Sequence, residues 1–244
     1  MRILEKVKIG NLVLKNRIVM PPMNTDLAAQ DGEVTPEMIQ HYATRAPWLG
    51  MVIVEHTYVR RDGRLSAGQP GIYEDRLVGG LRKLAKTVRK CGTPIGIQIN
   101  HAGRRCDPTL IGQQPVAPSA KEGARELSVP EISDLTEAFG RAAARAVRCG
   151  FDVVELHGAH GFLLCEFSSP LANARTDDYG GSLENRMRFP LEVVRRVRRE
   201  TRSRAGLWYR LGADDRTPGG NTIKEGARMG KMLADEGVDV LDVS

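Results

Sequence analysis

Two histidines three residues apart, His157 and His160, sit in the segment Glu155-Leu156-His157-Gly158-Ala159-His160-Gly161-Phe162, where an apolar run gives way to a turn. Imidazoles at that spacing suit three purposes. Neutral rings can ligate a zinc-like metal, with a carboxylate such as Glu155 alongside. Two N–H donors can instead converge on a substrate carbonyl oxygen and stabilise the negative charge that develops there. Or one histidine is a satisfied structural residue and the other an exposed one. Further polar residues follow apolar runs in the same way: Asn24 after Ile18-Val19-Met20, the string Gln98-Ile99-Asn100-His101, and Arg210 in Leu207-Trp208-Tyr209-Arg210-Leu211. Gln98 also reads as a satisfied buried amide, and Arg210 as an ion-pair partner of Asp214 or Asp215. The four cysteines, Cys91, Cys106, Cys149 and Cys165, form no C-x-x-C pair and show no zinc spacing. Few scattered thiols read as reduced and the chain as cytoplasmic. Cys91 and Cys149 each precede a glycine at a helix end and read as buried small residues.

The elements that must position these groups alternate. Val7-Lys8-Ile9 and Leu12-Val13-Leu14 flank Gly10-Asn11, a hairpin composition. Short runs rich in β-branched residues follow: Ile18–Met20, Met51–Val54, Ile95–Ile99, Val153–Leu156, Leu207–Leu211 and Val240–Val243. They read as buried parallel strands. Between them lie helical patterns: Leu77, Leu81, Leu84 and Val88 before Gly92; Leu135, Phe139, Ala142, Ala146 and Val147 before Gly150; a segment from Ser182 through Met187 to Val197; and Ile223, Met229, Met232 and Leu233 before Gly237. Strand–helix alternation predicts an α/β fold with a parallel sheet. No G-x-G-x-x-G follows the first strand, which argues against an open dinucleotide-binding sheet. Polar residues clustered just after several strands instead fit the C-terminal mouth of a (β/α)8 TIM barrel.

Composition sets the remaining bounds. The chain has 244 residues, a formal net charge of +6, 41% hydrophobic and 27% charged residues. That is ordinary for a globular domain and excludes disorder and coiled coil. No linker composition or repeat divides it, so a single domain over 1–244 is expected. No apolar run approaches the roughly 20 residues of a membrane span, and the N-terminus lacks an apolar signal core. The basic run Arg195-Arg196-Val197-Arg198-Arg199 alternates with Leu191, Val194 and Val197 at helical spacing and reads as a solvated helix face. With aromatics at 5%, stacking on nucleic-acid bases has no support. Neither nucleic acid nor membrane is an expected partner; a homo-oligomer is left open.

Several strings together resemble the Old Yellow Enzyme family of FMN-dependent ene-reductases. They are NRIVMPPM (Asn16–Met23), GIQINHAGR (Gly96–Arg104), APSA (Ala117–Ala120), ELHGAHGFLLCEFSSPLAN (Glu155–Asn173) and RTDDYGGSLENRMRF (Arg175–Phe189). They run collinearly along essentially the whole chain, and in pattern they are most similar to the bacterial branch, the 2,4-dienoyl-CoA reductases and enoate reductases.

The resemblance implies FMN across the barrel mouth and NADH or NADPH as hydride donor. The substrate would be a small molecule carrying an activated alkene. Pro22, Met23 and Asn24 would contact the flavin from the first loop, Gln98 its pyrimidine edge, and Arg210 its N1–C2 carbonyl. Relatives place a cysteine or threonine where Asn24 stands. His157 and His160 would hold the substrate's carbonyl oxygen while hydride reaches the β-carbon; Asp26 and Phe162 complete the substrate set. Phe162 departs from the tyrosine that serves relatives as proton donor, and Cys165 is a candidate substitute acid with packing as its other reading. His56 stands after its strand where the family keeps a small residue against the flavin; it either donates to flavin or substrate or narrows the pocket. Arg175, Asp177, Tyr179, Gly180, Gly181, Asn185 and Arg186 read as structural.

Six strand–helix units are legible, against eight in a complete barrel, so the resemblance implies an incomplete barrel without the phosphate site of its last loops. Two other readings stand beside catalysis: a non-catalytic barrel fragment that binds FMN weakly or not at all, and a metal-dependent barrel hydrolase.

Overall fold

The N-terminal hairpin pairs β1 (Val7–Ile9) with β2 (Leu12–Leu14) antiparallel, Ile9 opposite Leu12. Its turn needs a left-handed first residue, and Gly10 supplies φ 55° without a Cβ clash. A computed structural model describes residues 2–202 and 204–244. Beyond the hairpin come β3 (Val19–Met20), α1 (Pro36–Arg45), β4 (Met51–Tyr58), α2 (Val78–Lys90), β5 (Ile95–Asn100) and α3 (Pro108–Ile111). Then follow β6 (Val116–Ala117), β7 (Arg125–Glu126), α4 (Val129–Cys149), β8 (Val153–Gly158), α5 (Leu163–Ser168), α6 (Leu183–Thr201), β9 (Gly206–Leu211), α7 (Ile223–Asp235) and β10 (Val240–Val243). Six strands form one parallel sheet in the order β10-β9-β8-β5-β4-β3, while β6 and β7 make a small separate pair. This is the expected α/β architecture, with six of a barrel's eight strands.

Strand alternation splits the interior into two cores. Val52, Val54, Ile95, Ile97, Ile99, Val154, Leu156, Leu207 and Leu211 face the helices and meet Leu81, Leu84, Leu135, Phe139, Val194 and Met229. The other face carries Met51, Ile53, Val153 and Trp208, closed by Leu14 of the hairpin with Val7, Ile9 and Leu12 against it. The hairpin thus covers the end of the sheet where the strands begin. On that same inner face, further along each strand, polar side chains replace apolar ones.

The helices start and stop on local chemistry. Thr35 caps α1 by accepting the Met38 N–H, and α4 and α7 open with capping boxes, Ser128 with Glu131 and Thr222 with Glu225. Gly150 ends α4 at φ 89°. Some sequence expectations shift. α2 begins at Val78, with Leu77 as its N-cap. Ile223 opens α7 on the solvent side at 66% exposure rather than facing the core. Cys149 is buried as expected, but Cys91 is only half-buried. The Arg195–Arg199 run does lie on a solvated face: Arg195 pairs with Glu236, Arg196 with Glu137 and Glu200, and Arg198 with Asp239.

Candidate active site

The C-terminal ends of β4, β5, β8, β9 and β10 bring the polar residues together. Register partners run across the sheet: Gln98 opposite Glu155, and His157 opposite Arg210, which in turn faces Asp242. Glu55, Gln98, Asn100 and Glu155 are essentially inaccessible, and His56 and His157 nearly so. Such a layer of buried polar groups has to be hydrogen-bonded or completed by a ligand.

Several polar groups at this mouth are left open, Asn100 Nδ2 among them. Gln98 Nε2 donates to Glu155 Oε1 at 2.8 Å, yet Gln98 Oε1, Glu155 Oε2 and Arg210 Nε have no partner. Arg210 Nη1 lies 3.4 Å from Asp242 Oδ2, so its ion-pair partner is Asp242 and not Asp214 or Asp215. Gln98 is not the fully satisfied amide of its alternative reading. An unpaired acceptor and an unpaired cationic donor on one buried face fit a ligand edge that offers both N–H and carbonyl groups, as the pyrimidine ring of a flavin does.

The histidine pair occupies a strained turn. His160 and Gly161 both adopt left-handed backbone, at φ 59° and 69°, which swings the chain from β8 into α5 and keeps the second ring near the first. His157 Nδ1 accepts the Ala159 N–H at 3.4 Å, so its proton sits on Nε2, 3.3 Å from His160 Nδ1. His160 Nε2–H then donates to Ser244 Oγ at 2.7 Å, and Arg210 Nη2 reaches the same oxygen at 3.4 Å. Burial holds His157 well below the ordinary imidazole range, with His56, His160 and Arg210 adding to the shift. Burial and then Arg210 lower His160 as well. Both rings are neutral donors at physiological pH.

His56 lies inside β4, which runs to Tyr58, rather than after it. The register against β5 shifts between Val54 and Thr57; such a bulge re-aims side chains, and here Glu55 and His56, adjacent in sequence, are both buried. Gln69 Oε1 accepts the Leu65 N–H at 2.7 Å, which turns Gln69 Nε2 to donate to His56 Nδ1 at 2.7 Å and to its carbonyl at 2.9 Å. That leaves His56 as an Nε2–H tautomer, and burial lowers it to about 4. Its ring centroid is 5.5 Å from that of Phe162 and 6.3 Å from that of His157. Phe162 stands edge-to-face with His157 at 4.6 Å, with the Arg105 guanidinium over its ring at 5.3 Å.

The first loop is pinned from below. Glu55 accepts from the Thr25 backbone and hydroxyl, at 2.8 and 2.5 Å, and from the Tyr42 hydroxyl at 3.1 Å. Pro22 is buried, while Met23, Asn24 and Asp26 are exposed. Asp26 takes a left-handed φ of 54° and accepts from the Ser66 hydroxyl. Burial raises the Cys165 thiol to about 11, which removes it as an acid near neutral pH and leaves its packing role. Arg175 donates to the carbonyls of Pro118 and Leu127 and pairs with Asp177. Arg186 ties Ser168, Gly181 and Asn221 together. Both are structural. Among the described residues no three His, Cys, Asp or Glu side chains converge as a metal site, and Glu155 is engaged with Gln98, so the metal reading has no geometry behind it. Sequence reading passed over Asp242, Ser244, Gln69 and Glu55. Only the register of β10 against β9 brings Asp242 to Arg210, and nothing local in the sequence announces it.

Comparison with known proteins gives the family. Residues 2–244 match the family model described as NADH:flavin oxidoreductase / NADH oxidase family. The chain is 44% identical over 246 residues to an NADH oxidase of Thermoanaerobacter brockii, covering 97% of this chain and 38% of that protein. It is 41% identical over 244 residues to an NADPH dehydrogenase of Bacillus cytotoxicus, covering 97% of this chain and 69% of that protein. Its fold matches that of an old yellow enzyme homologue from Zymomonas mobilis with a TM-score of 0.91 at 31% identity, over 99% of this chain and 72% of the other. The chain spans from about two fifths to about seven tenths of these proteins. It belongs to the NADH:flavin oxidoreductase / NADH oxidase family, that of the old yellow enzymes.

Proposed function

We propose that the mouth holds FMN and that the chain reduces a C=C bond conjugated to a carbonyl or other electron-withdrawing group, with NADH or NADPH as hydride donor. The observation that carries this is the pair of unpartnered buried atoms, Gln98 Oε1 and Arg210 Nε, beside two neutral imidazoles. Gln98 and Arg210 would hold the pyrimidine edge, with Pro22, Met23 and Asn24 on the first loop. FMN, when bound, supplies two-electron hydride chemistry.

The remaining work falls to the chain's own side chains. Arg210 keeps a fixed positive charge at the mouth, which favours added negative charge nearby. His157 Nε2–H is spent only on a long 3.3 Å contact to His160, so an incoming carbonyl oxygen can take it at little cost. His157 then draws charge onto that oxygen, and His160 would add a second hydrogen bond by turning its Nε2–H from Ser244 Oγ to the substrate, which together make the conjugated β-carbon electrophilic. Because burial keeps the rings neutral, they donate hydrogen bonds without giving up protons. Phe162 walls the site without a proton to offer, so the α-carbon must take its proton from solvent.

Purified protein should be yellow, or turn yellow on FMN titration, and should oxidise NADH or NADPH in the presence of an enone such as 2-cyclohexenone. His157→Ala should lower kcat/KM for the enone by about 10²-fold or more while the flavin absorbance persists. A preparation that FMN cannot colour would overturn the proposal.

A further inference from the structure

Gln98 can serve a flavin in only one of its two amide orientations, and the neighbouring strand selects it. Gln98 on β5 and Glu155 on β8 are register partners, both fully buried. Gln98 Nε2 donates to Glu155 Oε1 at 2.8 Å. An amide nitrogen only donates and a carboxylate oxygen accepts, so this bond turns Gln98 Oε1 away from Glu155, where it finds no protein partner. Glu155 Oε2 is unpartnered as well. Leaving a buried polar atom unmade is costly, and an apolar residue of similar size would pack this position better than a lone carboxyl. Glu155 is therefore a poor choice for stability alone.

We propose that Glu155 is a positioning residue: it holds the Gln98 amide so that Oε1, rather than Nε2, meets the imide N–H of the flavin. The inference rests on the flavin reading above. A flavin's pyrimidine ring presents an N–H between two carbonyls. In the held orientation Gln98 offers an acceptor next to its second amide hydrogen, which matches that pattern; the flipped amide would set N–H against N–H. Arg210 Nε, also unpartnered, adds a donor for a carbonyl. Burial, with the Asp242 carboxylate reinforcing it, pushes Glu155 up to about 8. With or without its proton, the group keeps an acceptor oxygen toward Gln98.

FMN titration into the protein freed of bound flavin, read by flavin fluorescence and visible absorbance, tests this. Gln98→Ala and Glu155→Leu should each weaken binding roughly tenfold or more. The double variant should bind no more weakly than Gln98→Ala, because Glu155 acts through Gln98. Glu155→Gln keeps an acceptor oxygen at the same length and should bind within about threefold of the unsubstituted chain. Losses that multiply in the double variant would overturn the positioning role. So would unchanged binding by Glu155→Leu, or a Glu155→Gln variant as weak as Glu155→Leu. Absence of FMN binding by the unsubstituted chain would instead sink the flavin reading, and this inference with it. Circular dichroism reports folding, and should Glu155→Leu not fold, Glu155→Met, nearer in length, replaces it in the cycle.

Discussion

Phe162 packs its edge against His157 at 4.6 Å, in the place where the family resemblance leads one to expect a tyrosine. The surrounding side chains do not restore the lost acid. The Cys165 thiol is raised to about 11 by burial, and His56 and His157 are held in the neutral form. Under the proposed function, solvent would then be the proton source for the substrate's α-carbon. Phe162→Tyr should raise the rate of the oxidative half-reaction with an enone, measured by stopped-flow absorbance of the reduced protein. An unchanged or lower rate would argue against solvent protonation as the slow contribution.

At the scale of elements, the site depends on how each strand end is held. The bulge in β4 places Glu55 and His56 in the interior together. Glu55 then anchors Thr25 and Tyr42, coupling the first loop to α1. Opposite them, α4 packs along α2 and α6 and starts on the Ser128–Glu131 capping box, where Glu131 also accepts from Arg125 at 2.6 Å. Arg125 and then Ser128 lower Glu131 to about 2. Ser128→Ala removes the hydroxyl's share of the box and should cost about 1 kcal/mol in urea unfolding, with flavin binding unchanged because Ser128 bonds Glu131 and none of the site residues.

For the whole molecule, two buried carboxyls set an unusual pH dependence. Burial pushes Glu155 and Glu166 each up to about 8, although Arg104 beside Glu166 opposes the shift. Both folded values lie above the unfolded range, so the native state holds protons that the unfolded chain has released. Their contribution is fully present below about pH 4.5 and is lost as pH rises through about 8. Between pH 6.5 and 8.5 the loss is on the order of 2 kcal/mol for each group. The depressed histidines act in the opposite sense, but below pH 6.5, where the unfolded chain protonates them first. The thermal midpoint should therefore fall by several degrees from pH 6.5 to pH 8.5. A combined Glu155→Gln, Glu166→Gln variant should flatten that slope, and scanning calorimetry would show a steep slope in the variant if other groups were responsible.

The sequence by itself determined the alternation of strands and helices, the hairpin, the helix ends and the family. These are local matters of period, capping and turn chemistry, or of contiguous strings such as those around His157 and Arg175. His157, His160, Gln98 and Arg210 were also legible, because each sits at the end of a recognisable strand. Only the tertiary structure decided who meets whom. The pairing of Arg210 with Asp242 and of Gln98 with Glu155 depends on the register between separate strands, and the inward turn of His56 on a bulge. The protonation of Glu155 depends on burial from every side. Such properties arise from residues 30 to 60 positions apart in the chain, where no sequence period reports them.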